Sequence, residues 1–419
     1  MAGTPPSYLA LIRDNRAFRL LWLGEVVSFL GDWFASIALY TVVYELTGSA
    51  KAVAAVLVAH TLPNFLVMPI AGPIVDRYDR RTIMIATDLV RALCVIGLVV
   101  AIMRSDVVLL FAVLLVKVSC TGIFFPARTA AIPQVTDPDS VPVAMALSGG
   151  TWSVMAAVGG AAGGLAVAFL GVLGALWVDV ATYLLSAALL WAMPRLPAEG
   201  GATDASTGFI DGLRYLRRDS YVASLVWLKP GLCLSGAAVA MIPLFGEGVF
   251  PAAAGPLFVG LLFSMRGVGA LIGSLGIRRL FGDARQTMHW AIVAGFCGIA
   301  VGYLGSSVAP SFWLAGLGYF VAAIGVAVIW VFSGTLIQVS AEPAYRGRVF
   351  SLEFGIAMVV MAMASWSGGV LVDWGVDERT VVAGAGLVAL PAALLWTTQV
   401  LRLGGLEREL RSEDPQRGE

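Results

Sequence analysis

Long apolar runs, each near the ~20 residues that cross a hydrocarbon core, alternate with short polar turns from residue 18 to residue 401. A sliding hydropathy window predicts helices over 18–46, 50–71, 82–103, 107–126, 143–170 and 171–193, then over 221–247, 255–277, 287–305, 310–338, 349–372 and 381–401. One extended polar stretch interrupts them, from Pro194 to Ser220. It starts rich in Pro and Gly and continues as a short amphipathic helix from Phe209 to Arg218. The expected organisation is a six-helix bundle over 1–193, a linker over 194–220, and a second six-helix bundle with a polar tail over 221–419. The fold class is an all-α membrane protein of twelve transmembrane helices in two pseudo-symmetric bundles.

Composition agrees. Of the 419 residues, 59% are hydrophobic and 13% charged, about half the charged share of a soluble protein. A soluble enzyme is excluded, and the balance of 27 basic and 27 acidic residues excludes a nucleic-acid binder. Position matters more than the sum. Arg13, Arg16 and Arg19 precede the first span, Arg77, Arg80 and Arg81 follow the second, and Arg128 follows the fourth. Arg195, Arg214, Arg217 and Arg218 fill the linker, with further arginines after the eighth and tenth spans and in the tail. The alternate loops hold only Lys51, Arg104 and Arg379. Positive charge collects on the cytoplasmic side, so both termini and the linker are expected in the cytoplasm and the chain in the cytoplasmic (inner) membrane. Residues 1–19 lack the apolar core and small-residue exit of a cleavable leader, so the first span is expected to direct insertion.

Cys94, Cys120, Cys233 and Cys297 lie in apolar runs, and His60 and His289 are the only histidines. No metal site is expected, and neither is a nucleophile–base set for a membrane enzyme. No G-x-x-x-x-G-K-[ST] loop appears, so no nucleotide or other cofactor is expected. The expected partners are a small-molecule substrate, protons and the bilayer, with the protein a monomer.

The halves resemble each other. Leu20-Leu-Trp-Leu-Gly-Glu25 aligns with Leu225-Val-Trp-Leu-Lys-Pro230, and Gln134-Val-Thr136 with Gln338-Val-Ser340, at a shared offset of 204–205 residues. A parallel repeat is a transporter design with its site between the halves. The loop Gly72-Pro-Ile-Val-Asp-Arg-Tyr-Asp-Arg-Arg81 resembles the signature loop of the major facilitator superfamily. Gly72 is expected to permit a tight helix exit and Asp76 to accept from helix amides or a nearby arginine, with Arg77, Arg80 and Arg81 as the basic cluster. The resemblance implies that this loop locks one conformational state. Phe29-Leu-Gly-Asp-Trp33, Pro126-Ala-Arg-Thr129 and Arg346-Gly-Arg-Val349 resemble the branch of macrolide efflux proteins and the enterobactin exporter. That implies proton-coupled export of a small amphipathic compound by alternating access. The alternatives are a lipid or lysophospholipid carrier of the same fold, or an uptake transporter. Drug–proton antiporters carry Gly-Pro-x-x-Gly-Gly in the fifth span; here the stretch is Gly159-Gly-Ala-Ala-Gly-Gly164, with Gly160 replacing the proline. Gly159, Gly163 and Gly164 remain for close helix packing.

A charge in mid-membrane costs roughly 2.5–3.5 kcal/mol on the lenient insertion scale. Glu25 and Asp32, seven residues apart on the first span, return to within about 20° on a helix and share a face. Both are candidate proton carriers. Lys117 in the fourth span is a candidate partner for Asp32, which would then be a static ion pair. Lys229 and Arg266 suit an anionic or zwitterionic substrate, or pair with Glu353 or Asp179. Asp88 and Arg91 are expected to pair locally. Pro63 and Pro230 are expected to break their helices.

Overall fold

A computed structural model describes residues 7–197, 205–250, 255–281, 284–343 and 345–413. A short helix α1 (Tyr8–Asp14) leads into α2 (Arg16–Thr47), α3 (Ala50–Arg77), α4 (Arg80–Met103), α5 (Val107–Val135) and the long α6 (Val141–Trp191). The linker helix is α7 (Ala205–Arg218). After it come α8 (Ser220–Val226), α9 (Leu228–Cys233), α10 (Gly236–Ala240), α11 (Ile242–Leu244) and a π-helical turn over Phe245–Val249. The chain continues as α12 (Pro256–Phe281), α13 (Arg285–Ser307), α14 (Phe312–Ser340), α15 (Arg346–Asp373), α16 (Glu378–Leu387) and α17 (Ala389–Glu413). No strand occurs among the described residues.

Ten of these stretches are single helices or serial runs long and apolar enough to cross a membrane, and α3, bent by 49° between Asn64 and Pro69, makes an eleventh. Within α6 the backbone leaves helical values at Gly171, where φ is 72° and ψ 172°. Glycine takes that geometry without strain, and it divides α6 into two crossings at the boundary expected between the fifth and sixth spans. Among the described residues the crossings number twelve. Asn15, Ser49, Asp79 and Asp106 cap α2 to α5, each side chain accepting a backbone N–H in the first turn.

Proline behaves differently in the two places where a break was expected. α3 stays helical through Pro63 and bends further on. The seventh span is broken repeatedly, at Trp227, at Leu234–Ser235 and at Met241. Pro230 lies within α9 and Pro243 within α11, and each lacks the N–H that would continue the ladder.

Contacts divide the chain into two compact units. The first comprises Met1–Thr207, Val239–Val268 and Ser365–Glu378; the second comprises Gly208–Ala238, Gly269–Ala364 and Arg379–Glu419. In the first unit α2 lies along α6, α4 packs on α5 and α6, and α3 packs on α5. An apolar core that includes Phe18, Met84, Phe124, Ile132 and Leu190 closes its arginine-rich end. The glycines of α6 form two stripes. A Cβ at Gly163 would sit 2.8 Å from the Trp33 carbonyl oxygen, and one at Gly159 would overlap the Trp33 indole. On the next face, a Cβ at Gly160 would lie 2.7 Å from the Gly260 oxygen and one at Gly164 2.7 Å from the Pro256 oxygen. Side chains are therefore excluded toward both α2 and α12, which lets the backbones approach closely. The Ala161 amide donates to Ser264 Oγ at 2.7 Å across the second crossing. In the second unit α13 packs on α14 through Gly295, Gly302, Gly318 and Gly325. There α7 docks by Tyr215, whose ring stacks on Tyr345 at 4.7 Å and whose hydroxyl accepts the Glu342 amide at 3.2 Å.

Candidate functional site

Most of the charges expected inside the spans are buried, with Asp32 and Arg266 half-buried, and they fall into separate groups. Glu25, on α2, accepts from Arg128 of α5 and, at 2.7 Å, from Ser148 of α6. Its side chain is 2% exposed. Arg128 is the basic residue of the Pro126-Ala-Arg-Thr129 motif, so that motif supplies the counter-ion of one proton candidate.

Two turns along α2, Asp32 belongs to a larger network. Its Oδ1 accepts from Lys117 Nζ at 3.1 Å and from Tyr183 Oη at 2.6 Å. Lys117 also lies 3.3 Å from Asp179 Oδ2. Arg91 donates to Asp88 and sits between the rings of Phe124 and Tyr183, 4.4 and 4.5 Å from their centroids. Ser186 donates to the other Asp88 oxygen at 2.7 Å. The network thus runs through α2, α4, α5 and α6. Gly31 makes it possible, because a Cβ there would overlap Asp179 Oδ1 and Thr182 Oγ1. Lys117, Asp88, Arg91 and Asp179 are buried, whereas the Asp32 side chain is 29% exposed. Asp32 is the member through which the network meets its surroundings.

In the second unit Lys229 donates to Glu353 at 2.7 Å and faces the Trp330 ring at 4.7 Å. Of the two partners considered for Lys229, Glu353 is the one it takes; Asp179 goes to Lys117. Arg266 pairs with neither carboxylate. It lies near Tyr40, and its buried Nε has no hydrogen-bond partner.

The signature loop departs from expectation. Gly72 does not form a helix exit, since α3 continues through Arg77, and nothing stands within 4 Å of where its Cβ would be. The residue that accepts helix amides is Asp79 rather than Asp76. Its Oδ1 takes the Thr82 amide at 2.8 Å and the Thr82 hydroxyl at 2.9 Å, and its Oδ2 takes the Leu196 amide at 2.7 Å. Burial pushes this carboxyl up, but those donors together with nearby Arg81 outweigh it and hold it below the ordinary aspartate range. Asp76 sits half-buried in the last turn of α3, one residue before exposed Arg77. The Arg80 amide donates to the Leu196 oxygen at 2.9 Å, and the Arg81 side chain to the Trp191 oxygen. The loop therefore clasps the end of α6.

Tyr183 and Ser186, four and seven residues beyond Asp179, are the members of the network that the sequence reading does not single out. Their spacing on α6 was the available signal, because positions four and seven residues on share a helix face.

Twelve apolar crossings that enclose buried acid–base networks define a polytopic membrane transporter. Residues 7–415 match the family described as transmembrane secretion effector, and the chain belongs to this family of the major facilitator superfamily. It is 24% identical over 403 residues to an uncharacterized MFS-type transporter of Bacillus subtilis (strain 168), YfiS, covering 91% of this chain and 93% of that protein. It is also 24% identical over 402 residues to macrolide efflux protein A of Streptococcus pyogenes, covering 92% and 97%. Among solved structures, the POT family transporter PepTSo superposes with a TM-score of 0.72 at 12% identity, covering 94% of this chain and 99% of that one. At that identity the likeness concerns the fold.

Proposed function

We propose that the protein is a proton-coupled secondary exporter of a small amphipathic compound, macrolide-like or siderophore-like, acting by alternating access as a monomer. It lies in the cytoplasmic membrane with both termini and the linker in the cytoplasm, the side on which its arginines collect. The bundles divide at the linker, and the 72–81 loop locks the cytoplasmic ends in one state. The observation that carries the reading is the place of Asp32: a carboxylate 29% exposed at the margin of an otherwise buried ion network. A proton arriving there weakens the Lys117 bond and so couples protonation to the packing of α2, α5 and α6. Kinship with a macrolide efflux protein supports export of an amphipathic substrate.

The test is transport in everted membrane vesicles under an imposed pH gradient, against a panel of macrolides, siderophores and lysophospholipids. Gradient-driven accumulation of a macrolide or siderophore, abolished by a protonophore, is the expected result. Movement of lysophospholipid alone, or transport only in the opposite direction, would overturn the exporter reading. Asp32→Asn is expected to abolish gradient-driven transport while leaving substrate counterflow. Equal loss of both, or of neither, would remove Asp32 from coupling.

A further inference from the structure

Charge does not balance in the network around Asp32. It holds the carboxylates Asp32, Asp88 and Asp179 but only the cations Lys117 and Arg91. Among the described residues no further lysine or arginine is paired to it. Tyr183 of α6 donates its hydroxyl to Asp32. The thiols of Cys94 (α4) and Cys120 (α5) are unpaired by disulfide. His60 of α3 spends Nδ1 on the Val56 oxygen at 2.8 Å, and its Nε2 meets only the Ser36 hydroxyl, at 3.4 Å. Glu25 and Arg128 pair with each other. Arg266 of α12 lies toward Tyr40, eight residues along α2 from Asp32.

The three carboxylates are not equivalent. Asp88 has both oxygens engaged, one by Arg91 and one by Ser186, so its charge has a cation of its own. Asp32 and Asp179 flank the single ammonium of Lys117, at 3.1 and 3.3 Å. Asp179 is fully buried, yet its Oδ2 receives no hydrogen bond; the approach of Lys117 is an ion-pair separation without the alignment. An uncompensated charge in such a place is strongly unfavourable. One ammonium neutralises one of the two carboxylates, and the other needs a proton.

We propose that this network holds one proton, shared between Asp32 and Asp179 across Lys117, with Asp179 the second carboxylate of the proton-binding site. Titration belongs to the pair rather than to either aspartate. Asp32, the exposed member, exchanges the proton. When it is protonated, Lys117 turns to Asp179; when it is ionised, Lys117 is drawn back. The transported stoichiometry is then one proton per cycle, a consequence that rests on the proton-coupled reading above, whereas the occupancy itself does not.

Infrared spectroscopy of the purified full-length protein in lipid nanodiscs at neutral pH tests the occupancy without substrate or gradient. The wild type is expected to show the carbonyl stretch of one protonated carboxylic acid, shifting in heavy water. Asp32→Asn and Asp179→Asn each remove the surplus negative charge, so each is expected to abolish the band. Lys117→Met adds an uncompensated carboxylate and is expected to raise it about twofold, whereas Glu25→Gln leaves it unchanged. If Lys117→Met does not fold, the two asparagine variants decide the matter alone. No band in the wild type, which would place the proton on His60 or leave the network charged, overturns the proposal. So does a band that survives both asparagine changes. Loss in only one variant overturns the sharing. A band that behaves as expected in a protein showing no gradient-driven transport would refute the proton-coupled reading and leave the shared proton standing.

Discussion

Replacing Gly160 by alanine places a methyl group against the backbone of α12. The new Cβ would stand 2.7 Å from the Gly260 oxygen, 2.9 Å from Phe263 Cβ and 3.1 Å from the Ser264 nitrogen, where ordinary contact begins at 3.4 Å. Two of these neighbours are backbone atoms, so relief requires α6 and α12 to separate by roughly 0.7 Å near this point. Overpacking of that kind costs about 1–3 kcal/mol. The same substitution gains up to about 1 kcal/mol of helix propensity. Gly149 supplies the control, since it lies on the same helix with nothing within 4 Å of its Cβ position and would show the propensity gain alone. Gly160→Ala should therefore be less stable than Gly149→Ala by about 1–3 kcal/mol. Reversible unfolding of the purified variants in mixed micelles, titrated with a denaturing detergent, measures the difference. Equal stability of the two variants would refute the close crossing. A proline at 160, the residue of the antiporter pattern, would carry a Cβ into the same Gly260 oxygen.

Two further tests follow from the charged groups. Arg128→Ala leaves the Glu25 carboxylate, 2% exposed, with Ser148 as its remaining donor, and should destabilise the protein by about 3–5 kcal/mol. Combining it with Glu25→Leu should recover most of that loss in the same unfolding assay, and no recovery would mean the pair is not the source. Asp79 gives a pH dependence. Its carboxyl is held below the ordinary range in the folded protein, so its stabilisation is complete at neutral pH and lost as pH falls through the folded value. The stability difference between wild type and Asp79→Asn should stay constant down to about pH 4, the range of an unfolded aspartate, and shrink below it. A difference independent of acidification would remove the carboxylate's role as a cap.

Much of the architecture is legible in the sequence because the bilayer enforces it. Apolar length fixes the crossings, and even the break at Gly171 falls where one predicted span ends and the next begins. The individual charges are legible too, since the membrane makes each of them expensive. Partner choice is not, because it depends on which helices touch. Asp179 reads as a partner for Lys229 or Arg266, and it goes to Lys117 instead because Gly31 lets α6 lie against α2. Asp76 is the acceptor the sequence points to, and Asp79 takes that role because α3 does not stop at Gly72 but runs through Arg77.

The internal repeat sharpens this point. Lys229 and Glu353 each lie one residue from the positions that the motif alignment pairs with Glu25 and Ser148, which are Pro230 and Leu352. In each half these positions join the first helix to the fifth by a hydrogen bond of 2.7 Å, Ser148 to Glu25 in one unit and Lys229 to Glu353 in the other. The joint is kept while its chemistry is changed. In the first half the acid lies on the first helix and requires Arg128 from a third helix as counter-ion; in the second the acid has moved to the fifth helix and the first provides the base. A repeat of sequence letters does not reveal this, because the residues differ at both positions. What recurs is a polar contact buried between the corresponding two helices, which ties them together in an apolar bundle.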